Sequence, residues 1–492
     1  MKRDQINLNV SKILAVVIWV ITAVLRLPSL SAWEPPPLYD MVILNGRVMD
    51  PESKLDGAGM NVGVRGGVIA SVITEAIRGK VEIDAAGRVV APGFIDIMSY
   101  NPNSYGIWYK VADGVTTNLA MHGGAVSPSR WYKNFERQGM PVNFGAGFFY
   151  NAVRLELGID PLKPASGEEI SRLANRARKA LQEGSLGIGM SLEYMPGTSY
   201  EEVLEMMRVA SEFGVPVFFH LRYSDMEPYG TNMDALEEVI RAARSAGGRV
   251  HIDHITSTGG TFSMEESLRL ISVARSEGLD ITACAYPYPY WGAYLNSARF
   301  APGWQERFKI GYGDLQIGGT GERLTQESFS RYRRLGKLAV AYAIPENDVE
   351  KALKAPFVMV GSDGINEPHN NNHPRAAGTF ARTLAVYVCE KKLLTLMEAI
   401  EKMTLLPARR LEARSGALRR KGRLREGMDA DIVIFDPEKV KDTATVEVPN
   451  SFSIGIDYVI VNGTIVKDPA GLKKNRLPGR AVKTDPVQLP AF

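Results

Sequence analysis

Six histidines occur in 492 residues, and all lie in the middle of the chain: His122, His220, His251, His254, His369 and His373. Imidazole both ligates metals and titrates near neutrality, so their placement bounds the chemistry open to the protein. His220 closes the apolar run VPVFFH, His254 closes RVHIDH, and Asp363 closes VMVGSD inside GSDG. Two imidazoles and a carboxylate on three strand ends can hold a divalent metal and leave a position open for water. Such an ion lowers the pKa of that water, and Asp363 is placed to take its proton and pass it to a leaving group. His122 directly follows a further run, TTNLAM. Alternation displaces it by one residue, so it ligates only if its loop turns it inward. His369 and His373 fall in the loop HNNNHPR after Asp363, while alternation puts His251 on the face opposite His254, toward outer helices. Singly, such histidines are ordinary hydrogen-bonded polar groups. His220, His254 and Asp363 together argue for a metal or its remains.

The elements that must carry these residues are regular. Eight apolar strand-like runs alternate with helical segments: 93–98, 116–121, 142–148, 187–192, 215–220, 249–254, 280–285 and 358–363. Ser199 and Glu202 have capping-box spacing ahead of VLEMMRVASEF, with Gly214 at its far end, and 168–183, 232–246 and 263–276 carry helical periodicity. Eight strand–helix units over about 300 residues predict an α/β chain folded as a (β/α)8 barrel over 92–407, whose chemistry lies at the C-terminal ends of the strands. Residues 286–356 are too long for a simple connection and read as an inserted subdomain or lid. Segments 39–91 and 408–483 share a texture of short strands and tight turns, which predicts one small β-sandwich built from both chain ends.

Residues 1–38 differ from the rest. Lys2, Arg3 and Lys12 precede the apolar run 13–25, followed by Arg26 and a proline-rich linker. A basic start and an apolar core of this length describe a signal peptide or membrane anchor, so the chain is expected to be exported, secreted or held at a membrane outside the cytoplasm. The balance of 58 basic against 55 acidic residues excludes a nucleic-acid binder. Two cysteines, Cys284 and Cys389, exclude a disulfide framework and a cysteine-rich zinc module.

The chain resembles the amidohydrolase superfamily, specifically the N-acyl-D-amino-acid deacylases, from about Asp40 to Lys483. The likeness rests on VAPGFID, DGVTT, LEYMPGTSYEE, VMVGSDG, HPRAAGTFARTL, KMTLLPARRL, GRLREGMDADIVIFDP and GIDYVIVNGTIV, in that order. It implies a zinc-dependent hydrolase that releases a carboxylate and a free D-amino acid from a small N-acylated substrate. It also implies that His220 and His254 bind metal, that Asp363 is catalytic, and that Arg375 meets the substrate carboxylate, with His373 and Tyr288 as further substrate contacts. The departures cluster in the site. Met98 and Tyr100 stand where the resemblance calls for two metal-binding histidines, and Gly123, beside His122, stands where it calls for a bridging cysteine. Thr256 replaces a lysine, Cys284 an aspartate and Tyr150 a histidine. Methionine and tyrosine are poor zinc ligands, so one zinc ion held by His220, His254 and His122 is expected. The alternative is a barrel that has lost catalysis and serves as a membrane-associated structural or binding subunit within a protein complex.

Overall fold

The computed structural model describes residues 38–227 and 230–486, so the apolar run 13–25 lies outside the described residues. Among the described residues no helix is long and apolar enough to cross a membrane. Five strands open the described residues: β1 (Tyr39–Asp50), β2 (Leu55–Arg65), β3 (Val68–Ile73), β4 (Gly79–Asp84) and β5 (Val89–Pro92). The barrel strands follow as β6 (Phe94–Asp96), β7 (Val115–Ala125), β8 (Asn143–Phe149), β9 (Ile188–Ser191), β10 (Pro216–His220), β11 (Arg249–Ile252) and β12 (Ile281–Ala285). After β13 (Trp291–Tyr294), β14 (Leu315–Ile317) and β15 (Leu338–Ala341) comes the eighth barrel strand, β16 (Val358–Val360). The last four are β17 (Ile432–Phe435), β18 (Ile456–Val461), β19 (Thr464–Asp468) and β20 (Gly471–Leu472).

All eight expected barrel runs are strands, parallel and in sequence order from β6 to β16. Their residues are almost all buried, as expected for strands covered on both faces. The helices between them are set by local chemistry. Ser199 caps Tyr200–Glu212 with the reciprocal Glu202 bonds, and Gly214 past its end takes φ +65°, a region that suits glycine. No ladder joins β6 to β16, and side chains span the gap instead. The Ser362 amide donates to Asp96 Oδ1 at 3.0 Å, and Lys110 Nζ donates to Asp96 Oδ2 at 2.8 Å and also to Ser362 Oγ. One residue on, the Asp363 amide donates to Met98 O at 2.8 Å. Asp96, Lys110 and Ser362 are all buried.

Strands from both chain ends do form one unit, but as a single hydrogen-bonded sheet rather than two. Its order is β20-β19-β18-β17-β5-β1-β2-β3, and β4 branches off β1. The sheet forks because β1 runs parallel to β4 through residues 39–44 and to β5 through 47–48. It closes over its own apolar core, which includes Ile43, Val62, Val90 and Ile432. Within the insertion, β13, β15 and β14 form a small antiparallel sheet. The helix Glu346–Lys354 packs instead on β16 and on Met264–Ser276, so it belongs to the barrel's outer layer.

Candidate metal centre

β10 delivers His220 at its C-terminal end, level with Ser191 of β9. His254 arrives differently. β11 ends at Ile252, and the chain turns through His254 at φ +26°, with the Ser257 amide donating back to His254 O at 2.8 Å. This turn swings His254 into the mouth. It also corrects the expectation for His251. That residue pairs in register with Phe218 of β10 and Thr282 of β12, packs against the Phe218 ring at a 44° tilt, and lies on the Asp253 side. It therefore faces the barrel interior beneath His220, not the outer helices. Alternation misplaced it because His254 lies beyond the strand and no longer follows its parity.

His122, His220 and His254 each place one ring nitrogen within 4.8 Å of the others, and all three are buried. His122 lies within β7 and not in a loop after it, where the register with β8 shifts between Ala120 and Ala125, and it reaches the other two rings from there. His220 Nδ1 lies 3.1 Å from His254 Nε2, and its Nε2 donates to Glu193 Oε2 at 2.8 Å. His254 Nδ1 lies 3.3 Å from Thr258 Oγ1, and His122 Nδ1 lies 3.2 Å from Asp253 Oδ2. Each imidazole is therefore gripped on one nitrogen by an oxygen partner. That arrangement fixes the ring and its tautomer in metal-binding histidines. Burial pulls His220 down to about 4, against the raising effect of Glu193. Burial, then the charges of His220 and His122, hold His254 well below its ordinary value. Both are neutral at physiological pH, the form that ligates. His122 is shifted upward. Burial opposes its charge, but the bond to Asp253 and the charge of Asp363 outweigh it. The donor set and its outer partners fit one divalent ion.

Asp363 stands at φ +48° beyond β16, fastened from both sides. Tyr100 Oη donates to its Oδ1 at 3.2 Å, and Arg375 Nη2 pairs with its Oδ2 at 2.8 Å. Its Oδ2 is 3.8 Å from His254 Nε2. Arg375 Nε donates to Asp363 O at 2.8 Å, and the guanidinium lies over Tyr286. Its buried Nη1 has no partner. Tyr100, His122, Asp363, His373 and Arg375 all line a cavity of about 720 Å³ at the barrel mouth. His373 Nδ1 accepts the Arg375 amide at 3.0 Å, and its Nε2 is unpartnered. His369 is exposed and lies outside this cavity. Tyr288, expected as a substrate contact, is fully buried under Arg382 and does not line the cavity.

Two site residues escaped the sequence reading. Glu193 sits in the short turn after β9 and accepts on one oxygen from His220, Ser224 Oγ at 3.0 Å and Arg299 Nη1 at 3.0 Å. Burial alone would raise its carboxyl, but Arg299 and then His220 reverse that and leave it at about 2. Arg299 comes from the insertion and also donates to Ser257 O. The LEYMPG motif was the available signal for Glu193, and nothing local marked Arg299. Met98 Sδ rests 3.5 Å from Cys284 Sγ. Tyr150 turns away from the mouth and donates to Glu202, beside the buried Arg154–Glu202 pair.

A model of the amidohydrolase family matches residues 294–467. An N-acyl-D-glutamate deacylase of Alcaligenes xylosoxydans xylosoxydans is 30% identical over 491 residues, covering 91% of this chain and 97% of that protein. A D-aminoacylase of the same organism is 30% identical over 475 residues, covering 87% and 94%. Among solved structures, an N-acyl-D-glutamate deacylase of Bordetella bronchiseptica, complexed with zinc and a phosphonate inhibitor, matches with a TM-score of 0.78 at 27% identity. That match covers 91% of this chain and all of that one. The chain belongs to the amidohydrolase superfamily, in the company of the D-aminoacylases.

Proposed function

We propose that the protein hydrolyses the amide of a small N-acyl-D-amino acid at a site built for one metal ion, zinc being the favoured metal. The observation that carries this reading is the trio His122, His220 and His254, each gripped from behind by Asp253, Glu193 or Thr258. When bound there, the ion would polarise the scissile carbonyl and activate water. The chain supplies the rest. Asp363 Oδ2 takes the proton of the attacking water and returns it to the leaving nitrogen. Tyr100 and Arg375 fix that carboxylate in place. Arg375 Nη1, unpartnered and buried, donates to the substrate carboxylate. The basic and apolar N-terminal segment supports export, which would place the reaction outside the cytoplasm.

A second reading is a barrel without turnover that binds a ligand or a partner. The family resemblance favours it: Met98 and Tyr100 stand where that resemblance calls for two metal-binding histidines. One experiment separates the two. Purified full-length protein is analysed for zinc, iron and manganese and assayed on a panel of N-acetyl-D-amino acids. About one equivalent of metal with turnover supports the hydrolase. Less than about 0.1 equivalent, with no turnover after zinc is added, leaves the binding barrel.

A further inference from the structure

One layer below the three histidines, the barrel interior holds a second group of donors that the proposed reaction does not use. His251, Asp253 and Cys284 each direct one ligand atom to within 4.8 Å of the other two, and all three are buried. Two of these side chains also carry a polar atom in an unfavourable state. His251 Nε2 and Asp253 Oδ1 are buried with no hydrogen-bond partner. An unpaired buried acceptor loses its hydration with nothing in return, so such atoms mark a missing ligand. The other ends of the same side chains are already fixed. His251 Nδ1 is 2.8 Å from Thr282 Oγ1, and Asp253 Oδ2 is 3.2 Å from His122 Nδ1. The His251 tautomer that donates to Thr282 leaves an unpartnered lone pair on Nε2. Cys284 Sγ completes the set, with Met98 Sδ 3.5 Å behind it.

We propose that His251, Asp253 and Cys284 form a second, deeper metal site for a zinc-class divalent cation, linked to the upper centre through the Asp253 carboxylate. Imidazole nitrogen, thiolate sulfur and carboxylate oxygen are the donors of borderline-soft zinc, whereas calcium and magnesium take oxygen alone. The charges also close. On binding, Cys284 releases its thiol proton and Asp253 binds as carboxylate, so two negative ligands cancel a double positive charge and the buried assembly is neutral. Neutrality matters at this depth, because an uncompensated buried ion is strongly disfavoured. Met98 and Cys284, two of the residues that break the expected pattern at the mouth, thereby belong to one soft-donor pocket beneath it. The site stands on its own geometry and does not depend on turnover at the upper centre.

The test uses full-length protein produced in cobalt-supplemented minimal medium, with Cys389→Ser in the background to remove the exposed thiol. Cobalt bound by Cys284 gives a near-ultraviolet thiolate-to-metal charge-transfer band, which a site of histidines alone cannot give. The band is expected in the parent and in the His220→Ala/His254→Ala variant. It is expected to vanish in Cys284→Ser together with about one equivalent of cobalt. Absence of the band in the cobalt-loaded parent overturns the proposal, even if Cys284→Ser does not fold. Persistence of the band in folded Cys284→Ser also overturns it. If the upper centre alone is wrong, the band remains while the His220→Ala/His254→Ala variant matches its parent in cobalt content.

Discussion

Replacing Glu193 by glutamine keeps the shape of the side chain and removes its charge. In the native protein that carboxylate is buried between Arg299 and His220, and its pKa falls from an ordinary 4.5 to about 2. A difference of 2.5 units corresponds to about 3 kcal/mol of stabilisation by the ionised form. The group is depressed, so this contribution is complete above the unfolded value of 4.5. It is lost as pH falls through the folded value of about 2. With an unfolding entropy of about 2 cal/mol/K per residue, 3 kcal/mol lowers the melting temperature of a chain this long by about 3 °C. Scanning calorimetry of parent and Glu193→Gln across pH checks both statements. The gap should stay constant from neutrality to about pH 5 and narrow below that. The same variant weakens the hold on His220 Nε2, so metal affinity measured by chelator competition should drop about 10–100-fold. Parallel melting curves from neutral to acid pH, with unchanged metal affinity, would refute the assigned role of Glu193.

Two further outcomes follow from the site and the seam. Asp363→Asn should lower kcat on N-acetyl-D-amino acids by about 100-fold or more while metal content stays unchanged, because the residue moves a proton and is not one of the three imidazoles. Unchanged turnover in an active preparation would remove Asp363 from the reaction. Asp96→Ala strands the Lys110 ammonium, which is 1% exposed, and should cost about 3–5 kcal/mol, read by denaturant unfolding. A loss below about 1 kcal/mol would mean that the gap between β6 and β16 is held by something other than this cluster.

The barrel was legible because its eight strands are short apolar runs punctuated by glycine, proline and capping residues, signals that act within a few positions. His220 and His254 were legible because strand ends converge in a barrel. Residues whose placement depends on distant contacts were not. Arg299 reaches the site from an insertion more than a hundred residues beyond Glu193, and its only local context is an unremarkable SARF. Tyr150, read as standing in a histidine's place, gives its hydroxyl to Glu202 of the buried Arg154–Glu202 pair, a contact no local signal announced. His251 was misread because strand parity holds only inside the strand, and the turn at His254 breaks it. Tyr288 stands in an aromatic stretch that suggests a binding wall, yet it is buried under Arg382 and does not line the cavity.

The sheet shared by the chain ends has a consequence for how the protein is made. β5 pairs with β17, and only Gly93 separates β5 from the first barrel strand, so the root of the barrel is anchored to residues near 432–435. During synthesis the side of β5 away from β1 waits for β17 until most of the polypeptide has left the ribosome, and contacts of such long sequence separation form late. A chain truncated before β17 would retain every residue of both proposed donor groups and yet leave β5 unpaired on the side that β17 occupies. Completion of the β5 edge thus depends on strands made late in synthesis.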